Sequence, residues 1–281
     1  MQPAVYLKKT IDFNKNFRSI LEVLKLVAIS EYRNLEKKLK SFERLEDMLA
    51  EFFDSIDVTH VRHPFFSSGA PPVIVAVTSD GGLLGGLNNQ VITRATELVR
   101  QSGGKLVVVG ERGVSYAQDS GVNCVSYPGV IDNRRYVQAS EMRDFLLKKV
   151  LVGEYGGLHV VYPKAHSFVV HRIETATLLP FKIQAPAGAV DPEAQKKIIF
   201  ESSPTEVVEY LVYLVVAQRL YEIFGYARVC EQAARYLHLE ESCNKILEMN
   251  KKLLLTYFKR RHEVIDANMR ELFSSRKPNA D

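Results

Sequence analysis

The sequence has little cysteine, and its three cysteines are not spaced for a metal site or a disulfide framework. Cys124, Cys230 and Cys243 are an odd number, and no two of them stand in a Cys-x-x-Cys spacing. Buried, reduced thiols are the simplest account of such a set. The cysteine content therefore predicts a reducing compartment.

Long apolar runs are also missing. The densest apolar stretch, Tyr210 to Ala217, is far shorter than the roughly 20 residues that a membrane-spanning helix needs. The N-terminus lacks the apolar core and small-residue cleavage site of a secretory signal. We therefore expect no direct membrane insertion. The formal net charge of +4 permits an acidic partner but gives no reason to expect nucleic acid.

Two long stretches are almost free of glycine and proline. One runs from Thr205 to Lys277 with Gly225 as its only glycine, and the other runs from Tyr6 to Phe53. Apolar residues recur in both at steps of three and four, which is a helical period. A continuous helix over the first of these stretches would be roughly 110 Å long, too long to be enclosed in a globule of this chain length.

These two helices are expected to pair with each other as an antiparallel coiled coil. In the N-terminal helix the apolar stripe expected to pack includes Phe13, Phe17, Ile20, Leu21, Leu24, Val27, Ala28, Tyr32 and Leu35. A helical bundle with breaks near Gly225 and Glu240 fits the same periodicity.

The middle of the chain has the pattern of an α/β lobe. Short apolar strands are expected at Val73–Val77, Lys105–Gly110 and Leu158–Pro163, and an edge or antiparallel strand at Phe168–Leu179. Helical stretches alternate with them, which predicts a central, mostly parallel, Rossmann-like sheet. The expected division is an N-terminal stalk helix (1–57), a linker (58–72), the lobe (73–200), a C-terminal stalk helix (201–277) and a tail (278–281).

The sequence offers no good candidate for catalysis. The glycine-rich turn from Gly81 to Gly86 could hold a phosphate at a helix N-terminus, but it lacks the ending of a P-loop. A tight strand-to-helix turn explains it as well. His60 and His63, like His166 and His171, lack partners at zinc-ligand spacing. We expect no metal and no cofactor.

Four consecutive basic residues, Lys259, Arg260, Arg261 and His262, stand near the end of the C-terminal helix. Such a run is usually a solvated helix face. Contact with an acidic protein surface is the alternative.

Several blocks together resemble one family, the γ subunit of F-type ATP synthases. Ser79 to Asn88 (SDGGLLGGLN) resembles the family's SDRGLCGGLN, and Glu231 to Arg235 (EQAAR) is similar to its SEQAAR block. Phe200 to Pro204 resembles its foot segment, and Leu24 to Ser30 resembles its M-x-MVAAS. The last block falls on Phe258 to Phe273, with Lys259, Arg261, Ile265 and Glu271 identical.

The resemblance implies a rotor shaft that performs no bond chemistry. The lobe, with a small ε-type subunit, would stand on the membrane c-ring, and the coiled coil would rise into the head of α and β subunits. Arg261 and His262 would contact the catch loops of the head. The end of the helix would be an apolar bearing (Val264, Ile265, Met269, Leu272, Phe273), and the foot would touch the ring (Phe200, Glu201, Ser202, Pro204). In a bacterium the chain would then be peripheral, on the cytoplasmic face of the plasma membrane; an organelle inner membrane is the other setting.

The departures from the family pattern mark a divergent member. The family's arginine in SDRG is Gly81 here, its cysteine is Leu84, and the first proline of the foot is Ser202. The lysine-containing ITKAM turn has become Ile20 to Leu24 (ILEVL), and the glutamine after the catch arginine is His262. The competing hypotheses are a phosphate- or nucleotide-binding α/β protein with a coiled-coil oligomerisation stalk, and a coiled-coil scaffold without a motor.

Overall fold

The computed structural model describes residues 3–39, 63–66, 69–181 and 203–275. By their contacts these residues form two compact units, each taken here by itself. Unit one comprises residues 1–28 and 236–281, and unit two comprises residues 29–235. The division expected from the sequence stays a prediction, because its boundaries at 57, 200 and 277 lie outside the described residues.

Helix α1 spans Ala4–Leu39, and helix α5 spans Pro204–Ser275 as one element of 72 residues. The predicted C-terminal helix is thus confirmed, without the breaks near Gly225 and Glu240 that a bundle would need. Residues 40–53 of the predicted N-terminal helix lie outside the described residues.

In unit one the two helices pair in opposite directions. Asn14 Nδ2 bonds Asn250 Oδ1 at 2.9 Å, and Lys25 Nζ contacts Glu240 Oε2 at 2.5 Å. The residue number rises from 14 to 25 on α1 while that of the contacted residue falls from 250 to 240 on α5. This order confirms the antiparallel coiled coil. Between these pairs, Leu21 packs in an apolar cluster with Leu239, Cys243 and Ile246.

The stripe expected from the sequence packs only in part: Leu21, Ala28 and Leu35 are buried as expected. The seam in contact with α5, called here the packed seam, steps alternately by four and three residues. Its members are Leu7, Ile11, Asn14, Arg18, Leu21, Lys25 and Ala28. The expected Phe13, Phe17, Ile20, Leu24 and Val27 are exposed instead. The prediction was wrong for these five residues because it counted only apolar residues, whereas the packed seam also contains Asn14 and Lys25, which bind Asn250 and Glu240 on α5.

Unit two is built on a five-stranded sheet with strand order β3-β2-β1-β4-β5. The strands are β1 (Val73–Val77), β2 (Lys105–Val109), β3 (Cys124–Tyr127), β4 (Leu158–Ala165) and β5 (His171–Leu179). The first four are parallel, and β5 runs antiparallel to β4. The mostly parallel lobe and its antiparallel edge strand are therefore confirmed.

Helices cover both faces of this sheet. Successive residues of a strand point to opposite faces, so Ile74 and Ala76 pack with α2 (Leu87–Ser102) and with α3 (Glu111–Asp119). Val73, Val75 and Val77 pack with α4 (Arg135–Leu151) and with the first part of α5. Phe65, inside the expected linker, is fully buried in this second core. Among the described ranges, no helix has an apolar stretch long enough to cross a membrane.

Candidate functional site

The C-terminal end of α5 is the surface where the catch and bearing residues were expected. On α5, partly or fully buried positions recur at Leu239, Cys243, Ile246, Asn250, Leu253, Tyr257 and Arg260. From Arg261 to Ser274 every residue is exposed. The expected bearing residues Val264, Ile265, Met269, Leu272 and Phe273 are between 45% and 70% exposed. The helix therefore carries an apolar, solvent-facing end beyond its packed seam.

The four basic residues at the start of this end differ in their surroundings. Arg260 is half-buried and forms an ion pair with Glu263 at 2.6 Å. Arg261 and His262 are exposed, and within the described part of the chain Arg261 has no ion-pair partner. The side chain of Arg260 is thus held by a residue of its own helix, whereas the side chains of Arg261 and His262 are available to another surface.

Of the expected foot segment, Phe200, Glu201 and Ser202 lie outside the described residues. Pro204 is the first residue of α5. Ser203 Oγ accepts a hydrogen bond from the Glu206 backbone N–H at 3.3 Å, and the Ser203 N–H donates to Glu206 Oε2 at 3.1 Å. This reciprocal pair is a capping box with proline at the first helical position, which fixes where the helix starts.

The glycine-rich turn between β1 and α2 is held by its own polar ends. Asn88 Nδ2 donates to Ser79 Oγ at 2.9 Å, and Ser79 Oγ donates to the Gly81 carbonyl at 2.9 Å. Gly85 and Gly86 have φ angles of 59° and 92°, a left-handed region that glycine enters at little cost. Asp80 accepts the backbone N–H of Glu111 at 2.9 Å, at the start of α3. The motif thus joins two strand-to-helix connections.

Helix α5 covers this turn with a chain of charged side chains that sequence reasoning did not assemble. Glu231 is buried and binds Arg228 Nη1 at 2.5 Å and Arg235 Nη2 at 2.6 Å. Arg228 also binds Asp132 at 3.2 and 3.0 Å through two nitrogens. The spacings of three and four residues on α5 indicate the two pairs that Glu231 forms. Asp132 could not be found in this way, because it is 96 residues away from Arg228 in the sequence.

The pKa values of two residues on this part of α5, Arg228 and Cys230, are shifted. Burial opposes the charge on Arg228, but its hydrogen bonds and proximity to Asp132 and Glu231 outweigh that effect and raise its pKa. Burial raises the pKa of the Cys230 thiol to about 12, so that it stays protonated. Cys230 packs with Leu84, Leu87 and Ala234 under the turn. These are properties of a structural contact between lobe residues and helix, not of a reactive centre.

The space beside the turn is too small for a phosphate-bearing ligand. The cavity lined by Ser79, Asn88, Ala227 and Glu231 has a volume of about 10 Å³, which is about the space of one water molecule. A Cβ added at Gly81 would lie 2.8 Å from Arg235 Nη2. Side chains of α5 thus occupy the place that a phosphate would need, and the geometry favours the tight-turn interpretation.

Comparison with known proteins shows which family the chain belongs to. The family model described as ATP synthase matches residues 5–277. The chain is 24% identical over 274 residues to the ATP synthase gamma chain of Chlorobaculum tepidum, with 92% of each chain covered. It is 26% identical over 288 residues to that of Bdellovibrio bacteriovorus, covering 95% of this chain and 96% of the relative. The chain belongs to the ATP synthase gamma-chain family.

The fold is also found in solved rotors. The rotor of the Euglena gracilis mitochondrial ATP synthase matches with a TM-score of 0.71 at 14% identity, covering 93% of this chain and 98% of that chain. In this chain the guanidinium of Arg235, the arginine of the EQAAR block that the family pattern shares, fills the space next to Gly81.

Proposed function

We propose that this chain is the central-stalk subunit that transmits rotation of an ion-driven membrane ring to a catalytic head of α and β subunits. The chain performs no bond chemistry in this proposal. Its partners are the α and β subunits, an ε-type small subunit and the c-ring. In a bacterial cell it is held at the cytoplasmic face of the plasma membrane through that ring, without entering the bilayer.

One observation carries the proposal beyond family membership: the exposed end of α5 from Arg261 to Ser274. An apolar, solvent-facing helix end needs a surrounding surface. In the proposed complex that surface is the sleeve of the head. Val264, Ile265, Met269, Leu272 and Phe273 act there as the bearing, where apolar contacts without fixed hydrogen bonds permit turning.

To couple its rotation to the nucleotide affinity of the head, the shaft must make contacts that differ among the conformations of the β subunits. A shaft that bound every state of the β subunit equally would shift none of them, however tightly it bound. Arg261 and His262 supply such a contact in the proposal, because both side chains are exposed. The segment from Phe200 to Pro204, which leads into the start of α5, supplies the contact with the ring.

Rotation itself is the test. The full chain, with Cys124→Ser and a single exposed cysteine introduced as Asp119→Cys on α3, is purified in complex with α and β from the host, and a bead is attached to the new thiol. With the head fixed to a surface, ATP should turn the bead in one direction. Failure of α and β to co-purify, or a motionless bead on complexes that hydrolyse ATP, would refute the proposal.

A further inference from the structure

The hairpin formed by β4 and β5 extends beyond the rest of the sheet. Strand β1 pairs with β4 as far as Val161. Beyond that residue β4 continues to Ala165 and, among the described strands, pairs with β5 alone, starting with Tyr162 opposite Glu174. Residues 162–174 are called here the hairpin arm. Two strands by themselves are only marginally stable in water, so the arm needs support beyond its own backbone pairing.

Three side chains of the arm converge on Glu174 and stiffen the arm. Tyr162 donates from its hydroxyl to Glu174 Oε2 at 3.1 Å, and Lys164 Nζ lies 3.5 Å from the same oxygen. His166 Nε2 lies 2.9 Å from Glu174 Oε1. At the tip, the backbone N–H of His166 donates to the carbonyl of Val170 at 2.9 Å. Because side-chain networks of this kind rigidify the segments that they join, the arm is a braced element and not a loose loop.

The arm rests on helix α5. Ala165 and Ile173 pack against an apolar cluster to which Cys230 of α5 contributes. The ammonium group of Lys164 lies over the ring of Tyr226, 4.9 Å from its centroid, where a cation is attracted by the ring. Helix α5 also contributes side chains to the core beneath the sheet. It is therefore joined to the lobe both through that core and through the arm.

The tip of the arm reaches the other helix, α1. The ring of Phe168 meets that of Tyr32 edge to face, with centroids 4.9 Å apart and an angle of 85° between the ring planes. The hydroxyl of Tyr32 donates to Glu36 Oε1 at 3.2 Å, which fixes the far end of this side chain. Aromatic pairs prefer this edge-to-face arrangement, and each ring has only two rotatable side-chain angles. The contact is therefore directional and stiff.

We infer that the hairpin arm is a clasp that holds α1 to the lobe, so that the lobe drives both helices of the shaft and not α5 alone. The path runs from the sheet along the braced arm to Phe168, and from Phe168 to Tyr32 on α1. Packed protein transmits displacement because its compressibility is low. The inference rests on the proposed transmission of rotation and assigns Phe168 and Tyr32 as positioning residues for it.

Angular fluctuations of the ATP-free complex test the clasp. The complex is the one described above, with the head fixed to a surface and a bead on Asp119→Cys. At a given temperature, the variance of the bead angle is inversely proportional to the torsional stiffness between bead and head. If two helices carry the twist in parallel and one is released from the lobe, the variance should rise about twofold. We expect that rise with Phe168→Ala and, separately, with Tyr32→Ala.

Conservative variants and matched controls separate the clasp from general stability. Phe168→Tyr and Tyr32→Phe retain both rings and should retain the wild-type variance. Val169→Ala changes the neighbouring residue of the tip, which is 66% exposed. Val114→Ala removes methyl groups that pack against the core beside α3, so it lowers the stability of the lobe at a distance from the arm. Both control variants should keep the wild-type variance.

Hydrogen exchange of the isolated chain gives a second readout. With Phe168→Ala, the backbone amides of residues 29–39 should exchange about two- to tenfold faster, which is the factor that the loss of one aromatic pair gives. The amides of α2 should exchange at the wild-type rate. Val169→Ala should leave both sets of rates unchanged.

Two results would overturn the clasp. One is a wild-type variance in both alanine variants, and the other is an equal rise with Val114→Ala, which would assign the effect to the stability of the lobe. ATP should still turn the bead in every variant, because α5 still joins the lobe to the exposed helix end. A bead that ATP does not turn in the wild-type complex refutes the proposed function instead, so the two failures are distinguishable.

Discussion

Asn14 on α1 donates a hydrogen bond from Nδ2 to Oδ1 of Asn250 on α5, at 2.9 Å within the packed seam. Asn14 is only 6% exposed, and Asn250 Nδ2 in turn donates to the Ile11 carbonyl at 3.4 Å. Polar residues at seam positions fix the register of a coiled coil at some cost in stability, because only the matched register satisfies both amides. We interpret this pair as the contact that fixes the register of α1 against α5 in unit one.

The first prediction removes one half of this pair. Asn14→Ala should lower the free energy of unfolding by about 1–3 kcal/mol, because the Asn250 amide then stays in the seam without its partner. Asn16→Ala, an exposed asparagine of the same helix, is the control. Urea unfolding followed by circular dichroism measures both. Equal effects of the two substitutions would show that the asparagine pair contributes nothing to the register.

The second prediction concerns Gly81 and Arg235. A Cβ at position 81 would lie 2.8 Å from Arg235 Nη2, so Gly81→Ala must displace the guanidinium from Glu231 and Gln232, which it binds at 2.6 and 2.8 Å. Because the guanidinium is the far end of a flexible side chain, the cost comes mainly from these two hydrogen bonds and should be about 1 kcal/mol of stability. In an Arg235→Ala background the same change should cost less than about 0.5 kcal/mol, since the space is then empty.

A double-mutant cycle of unfolding free energies isolates this coupling. Gly69→Ala is a suitable control, because no atom lies within 4 Å of a Cβ added there. If the effects of Gly81→Ala and Arg235→Ala simply add, the two residues do not share the space that the structure assigns to them.

Much of this fold follows from the sequence. The strands β1, β2 and β4 are short apolar runs buried on both faces, and the long helices contain one glycine, Gly225, and no proline after the first position, so their type was predictable from composition and period. Strand β3 and helix α3 were missed. Cys124–Tyr127 is four residues long and half-exposed, which leaves no alternation to detect. Helix α3 has nine residues and contains Gly113, which lowers its helical signal.

The candidate site was predictable only in part. Exposure of the helix end from Arg261 onward depends on where α1 begins to pair with α5, and that register is set by Asn14 and Lys25, polar residues that an apolar pattern omits. The same omission placed exposed residues such as Phe13 and Ile20 in the expected stripe beside Leu21 and Ala28, which do pack. The bond between Arg228 and Asp132 joins residues 96 positions apart, for which local spacing gives no signal.

The third prediction is a pH dependence of unit two. Burial lowers the pKa of His63, His159 and His171 below the ordinary value of 6.5. Each is therefore neutral in the fold at a pH where the unfolded chain begins to bind protons. Stability should be full above about pH 7 and decline as the pH falls through the unfolded value of about 6.5, because the unfolded state then gains protons that the folded state does not.

Melting temperatures measured between pH 8 and pH 5.5 test this. A variant with glutamine at all three positions should show a flatter profile than the wild type, whereas His262→Gln, at an exposed position, should keep the wild-type profile. An unchanged slope in the triple variant would mean that carboxylates, not these histidines, cause the acid sensitivity.

The last prediction concerns Arg261 and the proposed contact with the head. The side chain is exposed and has no ion-pair partner among the described residues, whereas its neighbour Arg260 is held by Glu263 at 2.6 Å. An arginine in that position can bind a carboxylate of another subunit through two parallel hydrogen bonds, which a lysine does not reproduce. Truncating one partner of such a desolvated pair costs about 2–5 kcal/mol, against about 0.2–1 kcal/mol for a solvated surface pair.

Arg261→Ala should therefore lower the ATPase turnover of the assembled complex strongly, and Arg261→Lys should restore it only in part. Lys8→Ala, an exposed lysine of α1 outside the proposed contact, is the cationic control and should retain wild-type turnover. The melting temperature of the isolated chain should not change in any of the three variants, because neither side chain packs within it. Wild-type turnover in the Arg261→Ala complex would assign the basic cluster to a solvated helix face, since loss of a real contact must appear in the assembled complex and nowhere else.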